Sequence, residues 1–128
     1  MTRLALAAVL LAACGGDDGG TTTDAAISID GNANGVVDVT CPATVDAMVV
    51  TMNGSNTFMP MTSTISVNGI VKFVMSSDHS VVPNPIATMT DSGLQVGFSE
   101  TKCLKFTQTG TFGFMCNPHG FVGTVTVN

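Results

Sequence analysis

The sequence predicts an all-β sandwich of about eight strands. Three observations carry that expectation. Only 10% of the 128 residues are charged, while 45% are hydrophobic. The helix-favouring Leu, Glu and Lys are scarce, and Val, Thr, Phe, Gly and Pro stand in their place. Finally, the apolar runs are short, and turn residues close each of them.

Taken in order, the candidate strands are "GVVDVTC", "AMVVTM", "STISV", "IVKFVM", "HSVV", "TKCLKFT", "TFGFMC" and "GTVTV". The breaks between them are "NGSN", "VNG", "SSD", "PNP", "TDSG", "QTG" and "NPHG", all rich in Gly, Pro, Asn, Asp or Ser. Runs this short and this closely spaced suit a sandwich better than alternating strands and helices. A chain of this length supports one domain. Nine acidic residues against four basic ones exclude a nucleic-acid role. No apolar run is long enough to span a bilayer.

Period-two alternation assigns faces to the last strands. In "TKCLKF", Leu104 and Phe106 share one face, which places Cys103 and the two lysines on the other. In "TFGFMC", Phe112, Phe114 and Cys116 point inward. Cys103 and Cys116 are therefore not expected to pair. Upstream, "DGNANGVVDVTC" carries Asp30, Asn32, Asn34, Gly35 and Asp38 at calcium-loop spacing, but Cys41 stands where a bidentate Glu belongs. The favoured reading is a turn entering a strand, not a calcium site.

Residues 1–13 read as a targeting segment. Arg3 supplies the positive end, "LALAAVLLAA" the short apolar core, and Leu11-Ala12-Ala13-Cys14 resembles the lipobox of bacterial lipoproteins. That resemblance implies lipidation at Cys14 and an extracytoplasmic location, in the bacterial periplasm or at the cell surface. An ordinary signal peptide is the alternative. Cleavage before Cys14 would leave three lysines against nine acids, a net charge of −6. Residues 14–35, rich in Gly, Asp and Thr, read as a flexible tether, and 36–128 as the folded domain. With Cys14 lipidated and Cys116 inward beside a histidine, Cys41 and Cys103 remain as a disulfide pair in an oxidising compartment.

The chain has two histidines, His79 and His119. One inward thiol and two imidazoles make a soft, nitrogen-rich donor set of the kind a blue-copper electron-transfer site uses. At these residues the chain resembles the cupredoxins of the plastocyanin and amicyanin type, over about residues 57–127. "FMPMTSTISVNGIVKF", with Phe58, Pro60 and Gly69, is similar to the family's opening strand pair. "DHSVV" is similar to the segment carrying the first copper ligand, and "DSGLQVGFSETKCLKFTQTGTFGFMCNPH" to the stretch leading into the Cys-x-x-His pair.

The resemblance implies a Greek-key β-sandwich with His79, Cys116 and His119 as ligands to one copper ion, cycling between Cu(I) and Cu(II). It implies a monomer that meets redox partner proteins by transient contact at the exposed edge of His119, ringed by Pro83, Pro85, Pro118 and Phe121. The family's usual axial methionine is missing: counting back from Gly123 gives Phe121, and the "His-x-Phe" segment leads to Val122, neither of which ligates copper. An axial donor would have to come from Met59, Met61, Met75, Met89 or Met115. Met115 also stands where some relatives carry a tyrosine beside the ligand cysteine, so exit through His119 is expected.

Two histidines cannot build both this site and an oxygen-reducing cluster or a Ser–His–Asp set, so no enzyme is expected. The rival readings are a surface copper carrier or sensor, a zinc site with the same residues, and a metal-free sandwich.

Overall fold

The computed structural model describes residues 35–128. The expected signal segment, Cys14, nearly all of the tether, and the calcium-spaced Asp30, Asn32 and Asn34 lie outside the described residues. No helix among the described residues is long and apolar enough to cross a membrane.

Among the described residues nine strands form two sheets: β1 (Val36–Val39), β2 (Ala47–Met52), β3 (Ser55–Met59), β4 (Thr62–Ile65), β5 (Ile70–Val74), β6 (Val82–Pro83), β7 (Thr101–Phe106), β8 (Gly110–Met115) and β9 (Val122–Val127). One sheet has the order β4-β9-β8-β6, the other β1-β7-β5-β2-β3. Most neighbours are antiparallel, but β4–β9 and β2–β5 run parallel. The fold is an all-β sandwich, as expected from the sequence.

Two strand assignments differ from the sequence reading. Ser55–Met59, which no candidate strand covers and whose first two residues fall in the "NGSN" break, forms β3 and pairs with β2 across a tight turn at Asn53-Gly54, where Gly54 has φ +77°. Its polar first residues hide a strand whose single inward anchor is Phe58. "HSVV" yields only the two-residue β6 and an isolated bridge between Val81 and Val96.

The core forms where the two inner faces meet. Val49, Phe58, Val71, Phe73, Leu104 and Phe106 come from one sheet, and Ile65, Phe112, Phe114, Val125 and Val127 from the other. The Phe114 ring packs edge-to-face with both Phe73 and Phe58, at centroid distances of 5.4 and 4.8 Å. That geometry adds a favourable quadrupole interaction to the burial of large apolar area. A Cβ at Gly123 would lie 2.5 Å from the Phe114 ring, so this position must stay bare for β9 to pass.

Cys103 stands on the outer face of β7, opposite Lys72, yet it is buried, because Cys41 bonds to it there. The S–S distance is 2.05 Å, across 62 residues of sequence. Closing a loop of that size stabilises the fold by about 4 kcal/mol in the chain-entropy model. The alternation corrects one expectation: Lys102 does not share the face of Cys103. Its register partner is the inward Phe73, and its ammonium escapes at the sheet edge, 3.4 Å from Asp38 and 3.1 Å from the Gln95 carbonyl.

Candidate metal centre

His79 sits just after β5, where the chain leaves one sheet for the other. Side chains of the β2–β3 hairpin grip this segment. The Ser76 N–H donates to Thr51 Oγ1 at 2.9 Å. Asn53 takes the Ser77 N–H at 3.2 Å and returns an amide proton to the Ser77 hydroxyl at 3.1 Å. The Asp78 carboxylate accepts from the Gly54 N–H at 3.0 Å and from the Ser76 hydroxyl at 2.8 Å. Those two donors, the Gly54 amide first, hold its carboxyl below the ordinary carboxylate range. The imidazole that follows is fully buried.

Cys116 and His119 are placed differently. Cys116 follows the last residue of β8, inward and buried, and the chain then turns back at once into β9. The Gly120 N–H donates to the Cys116 carbonyl at 2.8 Å, and the Cys116 N–H to the Phe121 carbonyl at 2.9 Å. Gly120 has φ +75°, a left-handed turn that favours glycine. The turn leaves His119 exposed. Beside the ligand side chains themselves, the Asn117 N–H points at the Ser80 hydroxyl, 3.4 Å away, and links the two segments.

The three side chains converge. His79 Nδ1 and His119 Nδ1 are 3.1 Å apart, and Cys116 Sγ lies 3.7 Å from each. At that spacing both Nδ1 atoms cannot carry protons aimed at each other, so at least one presents a lone pair. A point equidistant from the three donor atoms lies about 2 Å from each, close to a first-row metal–imidazole bond. The Phe121 ring closes one side: it stands perpendicular to His79 with centroids 5.0 Å apart, nearly parallel to His119 at 6.3 Å, and backs onto Phe58 at 4.6 Å.

Of the two residues expected near the axial position, Phe121 is the one whose ring meets both imidazoles. Val122 begins β9 opposite Met115 and is 44% exposed. Two of the candidate axial sulfurs are committed elsewhere. Met75 Sδ lies 3.9 Å from the Thr51 hydroxyl, and the Met89 sulfur packs against Gly110, at the opposite end of β8 from Cys116. Met115 alternates away from Cys116. Pro118 is exposed within the ligand turn, and Pro83 lies half-buried in β6 opposite Phe114.

Sequence reasoning missed the brace behind His79. "SSD" reads as a turn, and nothing local shows that its partners Thr51, Asn53 and Gly54 are some 24 residues away. A thiol and two imidazoles without a further carboxylate in the cluster, two of the three buried, make a donor set that fits one copper ion.

Residues 48–128 match the family model described as copper binding proteins, plastocyanin/azurin family. No curated protein sequence matches the chain. Among solved structures, a reduced amicyanin variant superposes with a TM-score of 0.59 at 17% identity, covering 74% of this chain and 100% of that one. Amicyanin from Paracoccus versutus gives 0.56 at 17% identity, over 74% and 99%. Native pseudoazurin from Hyphomicrobium denitrificans gives 0.51 at 22% identity, over 64% and 74%. At these identities the likeness establishes the fold.

Proposed function

This chain belongs to the plastocyanin/azurin family of copper-binding proteins, and we propose that it carries single electrons through a mononuclear blue copper site. The observation that carries the reading is the triangle of His79, Cys116 and His119, two members buried and one exposed. Bound there, copper supplies a one-electron Cu(I)/Cu(II) couple.

The residues divide the remaining work. Cys116, buried just past β8, offers a thiolate shielded from water, and both imidazoles are aimed by segments whose backbones are hydrogen-bonded in place. Little rearrangement is then needed between oxidation states. Phe121 covers the open side of the triangle and brings no donor atom, which favours Cu(I) and raises the potential. His119, at the surface, is the contact point for redox partner proteins, and its exposed chain neighbour Pro118 adds apolar area suited to brief, small contacts. Both histidines serve this site, which leaves none for a hydrolytic or oxygen-reducing centre.

The location is part of the same reading. A lipid at Cys14 followed by a Gly- and Asp-rich tether would hold a monomeric electron carrier at a membrane surface outside the cytoplasm. The support is the N-terminal sequence pattern, together with a disulfide that suits an oxidising compartment.

The test is a visible and EPR spectrum of the Cu(II)-loaded chain. An intense thiolate-to-copper band with narrow hyperfine splitting is expected, and Cys116→Ser abolishes it. A weak tetragonal spectrum that survives Cys116→Ser removes the electron-carrier reading. Loss of copper on each redox cycle would favour a carrier of the metal itself.

A further inference from the structure

The back of the buried imidazole poses a problem of charge and protonation. His79 Nδ1 faces Cys116 Sγ and His119 Nδ1. If Nδ1 supplies a lone pair there, the ring proton belongs on Nε2. That atom is buried and has no hydrogen-bond partner. A buried N–H without an acceptor is costly, so an acceptor should stand nearby. The carboxylate of Asp78 does: its Oδ2 lies 3.7 Å from His79 Nε2, inside ion-pair reach and longer than a hydrogen bond.

Asp78 is not there by default. Its Oδ1 takes the Ser76 hydroxyl and its Oδ2 the Gly54 N–H. Ser76 is itself fixed through its N–H to Thr51, so both oxygens are tied to the β2–β3 hairpin. The carboxylate is thus fastened to a neighbouring strand pair and aimed at the imidazole from behind. Carboxylates in this place fix the tautomer of a ligating histidine and raise its basicity.

We propose that Asp78 is a positioning residue for the metal centre: its carboxylate keeps the His79 proton on Nε2, turns the Nδ1 lone pair toward Cys116 and His119, and favours the oxidised metal. This rests on the copper reading given above. A fixed negative charge behind a ligand stabilises Cu(II) over Cu(I), so Asp78 works against the Phe121 side, where the missing donor favours Cu(I). Asp78 and Phe121 then bias the potential of the centre in opposite directions.

Two measurements on the full chain test this. First, the reduction potentials of Asp78→Asn and Asp78→Glu are compared with the parent. Asp46→Asn serves as a charge control, because Asp46 caps Ile70 at the other end of β5. The expected result for Asp78→Asn is up to a tenfold fall in the preference for Cu(II) over Cu(I), a rise of up to about 59 mV. Asp78→Glu stays near the parent, and Asp46→Asn moves less than Asp78→Asn. Second, nitrogen-15 NMR of the Cu(I)-loaded parent reads its two histidines directly and needs no variant to fold. The His79 Nε2–H is expected to be present and slow to exchange, and to exchange at least tenfold faster in Asp78→Asn.

An Asp78→Asn potential no different from that of Asp46→Asn overturns the inference, as does a parent His79 proton found on Nδ1. A parent without a blue band overturns the copper reading and this inference with it. A blue parent whose potential ignores Asp78 overturns this inference alone.

Discussion

The two histidine-bearing segments hold their rings by different means. The His79 segment is braced by groups reaching from another hairpin, Thr51, Asn53 and the Gly54 amide, and its ring is sealed inside. The His119 segment is a short turn closed by its own backbone, with the ring in water. The first arrangement suits a group whose environment must stay constant, because bonds from a distant hairpin and bonds within the segment support one another. The second suits a group that must be reached, because a turn held by two local bonds needs no cover. One centre thus has a fixed side and an access side.

The largest expected effect separates the two sides by rescue. His79→Gly and His119→Gly should each abolish the blue spectrum. Millimolar imidazole should restore the band only in His119→Gly, because only there does the missing ring leave an opening to solvent. Rescue of both, read by titrating imidazole into the Cu(II)-loaded variants, would mean that the His79 side is not sealed.

A smaller effect tests the brace. Thr51→Val keeps the shape of the side chain but leaves the Ser76 N–H without its acceptor, and should destabilise the fold by about 2 kcal/mol. Gly120→Ala should be milder, at about 1 kcal/mol. A Cβ there meets open space, so the whole penalty is that of a left-handed backbone. Urea denaturation of both variants gives the order. If Gly120→Ala proves the more damaging, the turn rather than the brace is the rigid half of the centre.

Much of the centre is legible in the sequence. "CNPHG" places a thiol and an imidazole three residues apart at the end of an alternating strand, and His79 is the one other histidine in the chain. The alternation that turns Phe112, Phe114 and Cys116 inward follows from the strand period, and all three are buried. Where the pattern misleads, the cause is local. The strand of Ser55–Met59 has one inward apolar anchor among polar neighbours, too weak a pattern to register against a turn signal. Lys102 reads as outward because its charge suggests solvent. Its period-two neighbour Leu104 puts it on the inner side, where a long side chain still reaches the sheet edge.

Strand period, residue chemistry and spacing are local properties of the chain. They suffice for the class of fold and the donor set, while the lack of a thioether at the usual place is what the family resemblance implies. Three other relations come only from the folded chain. The donors stand within a metal bond of one common point, the Phe121 ring neighbours both imidazoles, and Asp78 lies behind His79. The first two join segments far apart in the chain. The third joins neighbours, but the groups that aim the carboxylate, Gly54 and Thr51, belong to a distant hairpin. Such distances depend on how two sheets pack and where a hairpin lands, and no local pattern encodes either.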